Sequence, residues 1–247
     1  MRNYLEAFKI YAVPSGQELL AMIASSAVGG FVFSFDKWGS DTFDLNVGIH
    51  NFLLYAVMIF LLLSAIEFGR RFWATKLGYK TEYRIWWIGI LISLFFVFFT
   101  QGWLKFLIPG GFYVRVIPHL RLGHHVYRLK MVDLAKLAIA GTFAGVFFTV
   151  LLSNFVAWEI TVMYMIIIIA GLVPIDIPVR VAYEGTPHSS GSAILFGSRS
   201  GLAFTLVLVL TAFLLLKIFP FWATMVLAFI LASIAGLGWL WFKEISI

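Results

Sequence analysis

The sequence contains no cysteine and few charged residues. The absence of cysteine excludes disulfide bonds and thiolate metal sites. Only 12% of the 247 residues are charged, whereas a soluble domain carries about 25%. Hydrophobic residues make up 62% of the chain, and the mean hydropathy is +0.96. Because so few charges cannot cover a water-facing surface, we predict an integral membrane protein whose surface contacts the lipid bilayer.

The charge that is present is mostly positive. The 18 Lys and Arg residues outnumber the 12 Asp and Glu residues, which gives a net charge of +6. These basic residues are spread between apolar segments rather than gathered in one stretch, which argues against nucleic acid as a partner. Basic loops beside anionic lipid on the cytoplasmic side explain the excess, so we expect a protein of the cell membrane.

Seven apolar runs divide the chain. They cover Glu18–Phe35, Ile49–Phe68, Ile85–Leu107, Leu134–Val156, Ile160–Val173, Leu202–Phe219 and Phe221–Phe242. A helix needs about 20 apolar residues to cross the hydrocarbon core, and the run that stops at Pro174 is shorter than this. The lengths predict an all-α, polytopic bundle of six or seven transmembrane helices. We expect residues 1–16 to form an amphipathic lead-in at the interface and residues 17–247 to form a single transmembrane domain.

The basic residues pose a question of orientation. They concentrate in the two connecting segments Arg70–Arg84 and Pro109–Lys136, and the positive-inside rule places both on the cytoplasmic side. A full span over Ile85–Leu107 would put them on opposite sides. Either that run is re-entrant, or Arg70 and Arg71 lie within the membrane.

Three segments, taken together and in order, carry a resemblance to a known family. The first is Ile66-Glu67-Phe68-Gly69-Arg70 with a basic continuation to Tyr79, the second is Asp133–Gly145 (DLAKLAIAGTFAG), and the third is Gly171-Leu172-Val173-Pro174-Ile175 followed, after an insertion, by Ser189–Arg199. In order, spacing and position relative to the apolar runs they resemble the site-2 protease family of intramembrane zinc metallopeptidases, over about residues 49–247. The resemblance implies that the bundle has a site-2-protease-like core.

In that family, a His-Glu-x-x-His helix supplies two zinc ligands and a general base, and a later Asp supplies the third ligand. The resemblance places Ile66, Arg70 and Ser190 at the three ligand positions and Glu67 at the general-base position. Gly145 stands where the family has an Asn that helps to hold the substrate. Ile cannot bind zinc, Ser is a poor neutral ligand, and Arg brings a permanent positive charge. We therefore expect no zinc or other cofactor, and no peptide hydrolysis by the family mechanism.

The charged residues left at these positions predict an interaction of their own. Glu67 and Arg70 are three residues apart, so on a helix they lie on one face within pairing distance. An isolated charge within hydrocarbon costs about 2.5–3.5 kcal/mol, and pairing reduces that cost. We predict a buried Glu67–Arg70 ion pair in place of the zinc site. Two alternatives stay open: the pair binds a polar group of a lipid or peptide, or both side chains face interfacial water.

Metal ligands could instead come from elsewhere in the chain. The candidate residues are His119, His124, His125, His188 and Asp176. The adjacent His124 and His125 point in different directions on a regular helix or strand, so they cannot chelate as an i, i+4 pair does. If these residues bind zinc, the protein is an active intramembrane metallopeptidase with relocated ligands.

These observations give three functional hypotheses. The first is a catalytically inactive, site-2-protease-like membrane protein that binds or regulates a client, such as a single-pass membrane protein. The second is the active metallopeptidase with relocated zinc ligands. The third, a transporter, is disfavoured by the few acidic residues in the apolar runs and by the lack of a visible inverted repeat.

Overall fold

The computed structural model describes residues 8–39, 43–117, 130–174 and 189–245, with the backbone alone for Val116 and residues 242–245. The described chain is mostly helical, which confirms the helical class. The elements are α1 (Gly16–Ser34), α2 (Leu45–Leu77), β1 (Tyr79–Ile85), α3 (Trp87–Phe99), β2 (Gly110–Val116), α4 (Met131–Leu152), α5 (Trp158–Leu172), α6 (Ser190–Gly197), α7 (Arg199–Leu215) and α8 (Phe221–Ile245).

Four of the described helices are long and apolar enough to cross a membrane: α1, α2, α4 and the Phe221–Trp241 part of α8. They support an integral membrane protein. The apolar helices α3, α5 and α7 have 13, 15 and 17 residues, which is short of the usual spanning length. The count of six or seven spans therefore stays a prediction.

Local sequence signals fix the ends of α2, the helix that carries most of the site. The side chain of Asp44 accepts hydrogen bonds from the backbone N–H groups of Asn46 and Val47, as an N-cap residue does. At the other end, Gly78 adopts the left-handed conformation (φ 77°) and donates its N–H to carbonyls of the last turn. With 33 residues, α2 is about 50 Å long, longer than the hydrocarbon core is thick.

The strands β1 and β2 form a two-stranded antiparallel sheet, which we did not predict. The register runs from Tyr79 opposite Val116 to Ile85 opposite Gly110. One face is buried and carries Tyr79, Thr81, Tyr83, Phe112 and Val114. The sequence Tyr-Lys-Thr-Glu-Tyr-Arg-Ile of β1 alternates between this face and a charged one, as a half-buried strand does.

The strand pairing brings the adjoining ends of the two basic segments together. Because β1 and β2 pair side by side, the chain leaves the sheet at Ile85 and returns to it at Gly110. The intervening segment, with α3, thus begins and ends at the sheet. Both basic segments begin or end at the same place, and Arg70 and Arg71 are in addition buried within the protein.

The core forms where α2 packs antiparallel against α4 and where α1 packs against α2. A Cβ atom at Gly69 would lie 2.4 Å from Cβ of Ala144, so glycine allows α2 and α4 to approach closely. Further along the same interface Ile66 faces Gly145 and Arg70 faces Gly141. These contacts bring one face of α2 directly onto the second segment of the family resemblance.

Candidate functional site

The site forms around the side chain of Arg70. Its Nη1 donates to Glu67 Oε1, and its Nη2 donates to Ser190 Oγ at 2.6 Å. The guanidinium also lies over the ring of Phe112, 4.6 Å from the ring centroid. Arg70 thus connects α2, α6 and β2, and the ion pair expected from the spacing of Glu67 and Arg70 is present.

Two glycines of α4 make room for these side chains. A Cβ atom at Gly141 would lie 2.6 Å from Arg70 Cγ and 2.7 Å from Arg70 Nε. A Cβ atom at Gly145 would lie 2.8 Å from Ile66 Cγ1. Because both positions lack a side chain, the Arg70 stem and Ile66 lie directly against the backbone of α4.

The five positions that we singled out from the resemblance therefore lie in one place. Ile66, Arg70 and Glu67 come from α2, Gly145 from α4, and Ser190 from the start of α6. Arg70 and Ser190 are 120 residues apart in the chain and share a hydrogen bond.

The ion pair is removed from solvent. Glu67 is 2% exposed, Arg70 6% and Ser190 8%. Two polar atoms of the pair, Glu67 Oε2 and Arg70 Nε, have no hydrogen-bond partner among the described residues. Unpaired buried polar atoms are rare and each costs about 1–3 kcal/mol, so this pair has unused capacity to bind a polar group.

A small cavity of about 40 Å³ adjoins the pair. Its lining includes Glu67, Arg70, Tyr83, Thr142, Gly171 and Ser190. A single water needs about 10–15 Å³, so the cavity has room for a small polar group beside the ion pair.

Tyr83 closes the cavity on the side of the sheet. Its hydroxyl donates to Ser25 Oγ at 2.9 Å, and Ser25 in turn donates to the carbonyl of Pro109 at 3.2 Å. Burial raises the pKa of the Tyr83 phenol, so this side chain stays neutral at physiological pH and acts as a hydrogen-bond donor.

A second buried ion pair, which sequence reasoning missed, lies next to the first. Arg71 Nη2 donates to Glu18 Oε1, and Arg71 Nη1 donates to the carbonyl of Ala12 at 2.6 Å. The same Glu18 oxygen accepts the backbone N–H of Tyr83 at 2.9 Å. Ser15 and Glu18 also form a capping box at the start of α1. That Ser-x-x-Glu motif was the one available signal, and it points to a helix start rather than to a partner 53 residues away.

The residue types at the site do not suit zinc. Catalytic zinc sites use three His, Asp, Glu or Cys ligands, whereas the three positions here hold Ile66, Arg70 and Ser190. A guanidinium about 4 Å from Zn²⁺ would repel it by about 8 kcal/mol at an effective dielectric constant of 20. The described residues contain no group of three or more His, Asp or Glu side chains close enough to share a metal ion. The alternative ligands His119, His124, His125, His188 and Asp176 all lie outside the described residues.

With these residue types, Glu67 and Arg70 offer hydrogen-bonding groups that complement a neutral polar group. Glu67 Oε2 offers an acceptor and Arg70 Nε offers a donor, and a peptide group carries the complementary N–H donor and C=O acceptor. Comparison of the chain with family models, with curated proteins and with solved structures gave no match.

Proposed function

We propose that this chain is a site-2-protease-like membrane protein that has lost its zinc site and binds a membrane client without cleaving it. One observation supports the proposal: two of the three ligand positions of the resemblance, Arg70 and Ser190, share a hydrogen bond although they are 120 residues apart. The guanidinium of Arg70 donates a hydrogen bond to Glu67, and its Nη2 atom lies 2.6 Å from Ser190 Oγ. A fixed cation here takes the place that a metal ion would occupy.

The client-binding part of the proposal rests on the unpaired atoms of the site. Glu67 and Arg70 line the cavity, and each has a buried polar atom without a partner among the described residues, the acceptor Oε2 of Glu67 and the donor Nε of Arg70. In a low-dielectric environment, a ligand that satisfies both gains more than it would at an exposed site. An unwound stretch of a single-pass membrane protein exposes peptide groups with this pairing, which a regular helix does not.

Metal content and cleavage test the loss of catalysis. Detergent-purified full-length protein should contain less than about one-tenth zinc per chain by elemental mass spectrometry, and it should leave membrane-embedded peptides intact. Glu67→Gln should change neither result. About one zinc per chain together with Glu67-dependent cleavage would overturn the proposal and favour the relocated ligands. Solute flux through liposomes containing the pure protein would instead favour a transporter.

Site-specific photo-crosslinking tests client binding. Gly171 lines the cavity, and a Cβ atom there would meet nothing within 4 Å, so it can carry a photoreactive side chain. Irradiation in native membranes should yield an adduct with an uncleaved single-pass protein, and Arg70→Met should abolish it. The matched control is the same side chain at Gly16, which is equally uncrowded but lies at the start of α1. An adduct that persists in Arg70→Met, or that forms equally from Gly16, would contradict binding at this site.

A further inference from the structure

An apolar groove of about 740 Å³ lies on the face of α2 opposite to the Glu67–Arg70 pair. Helices α2, α4, α7 and α8 contribute its walls. Its larger side chains include Phe68, Phe72, Trp73, Phe143, Phe147 and Phe229. The close contact of Gly69 with Ala144 forms its floor, so small residues at the helix interface produce the concave shape.

Cationic side chains gather at one end of this groove. Because α2 and α4 are antiparallel, with Arg70 facing Gly141, Lys76 near the end of α2 is level with Lys136 near the start of α4. Lys76 Nζ lies over the rings of Phe72 and Trp73, at 4.7 Å and 5.1 Å from their centroids. Lys136 is the one charged residue among the described residues that line the groove.

Among the described residues, the surroundings of these two lysines leave a net positive charge at that end. Lys136 Nζ is 3.5 Å from a carboxylate oxygen of Asp133, so its charge is partly compensated. Within the described ranges, no carboxylate lies within ion-pair distance of Lys76. Lys130, just before α4, is exposed at the same end. The far end of the groove, around Phe147 and Leu151, has an apolar lining.

We propose that this groove binds an acyl chain of an anionic phospholipid, with the phosphate held by Lys76 and Lys136. The groove follows α4 from Lys136 to Leu151, about 22 Å, which is somewhat more than one leaflet of the hydrocarbon core. One positively charged end and one apolar end match the two parts of such a lipid. The positive-inside rule places the basic end at the cytoplasmic face, where anionic lipids are enriched.

The size of the groove favours a lipid chain over a helix. A helix about 10 Å in diameter would occupy about 1,700 Å³ over the same length, more than twice the volume of the groove. An acyl chain is thin enough to lie within it. This inference does not depend on the proposed function, because none of these groove residues belongs to the Glu67–Arg70 site.

Native mass spectrometry of the full-length protein tests the role of the lysines. The protein is titrated with phosphatidylglycerol and phosphatidylcholine that carry the same acyl chains. We expect preferential retention of one phosphatidylglycerol, because each lysine near an anionic headgroup contributes about fivefold in affinity. Lys76→Gln/Lys136→Gln should lower that affinity by about 25-fold, to the level of phosphatidylcholine. The matched control is Lys217→Gln, since Lys217 also lies over a Trp ring, that of Trp158, at 4.3 Å.

A second variant tests the role of the groove itself. Ala65 lines the groove, and Ala65→Phe should reduce the retention of both lipids by at least about tenfold. Ala140→Phe fills the groove from the facing helix α4 and should have the same effect, so the test does not depend on the folding of a single variant. Thermal unfolding shows whether each variant is folded. Equal retention of the two lipids, or unchanged retention in the lysine pair variant, would overturn the proposal. Displacement of phosphatidylglycerol by a transmembrane helical peptide would assign the groove to a protein partner and overturn it as well.

Discussion

Two neighbouring arginines of α2 form two buried ion pairs with different roles. Arg71 joins distant parts of the chain, since its partner Glu18 lies on α1 and also accepts the N–H of Tyr83 on β1. Arg70 pairs within its own helix and contacts Ser190 and a cavity. The Arg71–Glu18 pair joins two helices and a strand and so fixes their arrangement, whereas the Arg70–Glu67 pair lies within one helix and borders a cavity in which a polar group can bind. Arg71 thus belongs to the scaffold and Arg70 to the candidate site.

The largest effect should come from breaking the scaffold pair. Arg71→Met leaves the Glu18 carboxylate buried without its cation and removes the donor to Ala12. Loss of one partner of a buried pair costs about 3–5 kcal/mol, which denaturant unfolding in detergent would measure. The control is Lys80→Met, because the more exposed Lys80–Glu82 pair contributes about 1 kcal/mol or less. Similar losses of stability in Arg71→Met and Lys80→Met would show that the Arg71–Glu18 pair contributes no more than a more exposed pair.

Replacing both partners of each ion pair with apolar residues should reveal a further difference in stability between the two pairs. The free energy of unfolding of Glu67→Leu/Arg70→Met should lie within about 2 kcal/mol of that of the wild type, because apolar residues often replace a buried ion pair at little cost. Glu18→Leu/Arg71→Met should lose at least about 2 kcal/mol more, since Tyr83 N–H and the Ala12 carbonyl would lose their partners. The same unfolding assay compares the two double variants. Equal stability would show that Arg70 and Arg71 have the same structural role.

Crowding the Arg70 side chain should have a smaller effect. Gly141→Ala places a Cβ within 2.6 Å of Arg70 Cγ, and overpacking of this kind costs about 1–3 kcal/mol. The control, Gly171→Ala, meets nothing within 4 Å and should be neutral or slightly stabilising, because alanine favours a helix. Thermal unfolding of both variants is the measurement. A neutral Gly141→Ala would mean that Arg70 is not held against α4.

The smallest effect should come from an exposed pair that serves as a reference for the buried ones. The hydrogen bond from Lys37 lowers the pKa of Glu159. A depressed carboxyl pKa adds stability above the unfolded-state pKa, about 4.3, and that stability is lost as the pH falls through the folded value. Because Glu159 is largely exposed, we expect the free energy of unfolding to change by about 0.2–1 kcal/mol over this pH range. Glu159→Gln should remove this pH dependence, and an unchanged pH profile would show that the pair contributes nothing.

The helices were predictable from the sequence because long apolar runs leave few alternatives. The run Ile49–Phe68 lies within α2, and Leu134–Val156 overlaps α4. The sheet was missed although β1 shows strand alternation, because the strand is short and its partner lies beyond the helix α3. Local spacing correctly predicted the ion pair between Glu67 and Arg70.

Other features of the site depend on contacts that no local pattern encodes. The bond between Arg70 and Ser190 spans 120 residues, and only the family resemblance suggested that these positions lie together. Nothing in the sequence suggested that Glu18 pairs with Arg71, or that Tyr83 and Phe112 border the site, because these contacts arise from the tertiary arrangement of α1 and the sheet.

The most direct test of the account is to restore the ligands that the resemblance implies. Zinc content by elemental mass spectrometry is compared between the wild type and Ile66→His/Arg70→His/Ser190→Asp. A control, Phe68→His/Phe72→His/Ser192→Asp, introduces the same side chains with two of them on the groove face of α2. We expect about one zinc per chain in the variant with restored ligands and none in the wild type or the control. A folded restored variant without zinc, or a wild type with one zinc per chain, would contradict the claim that Arg70 lies in the place of a lost metal ion.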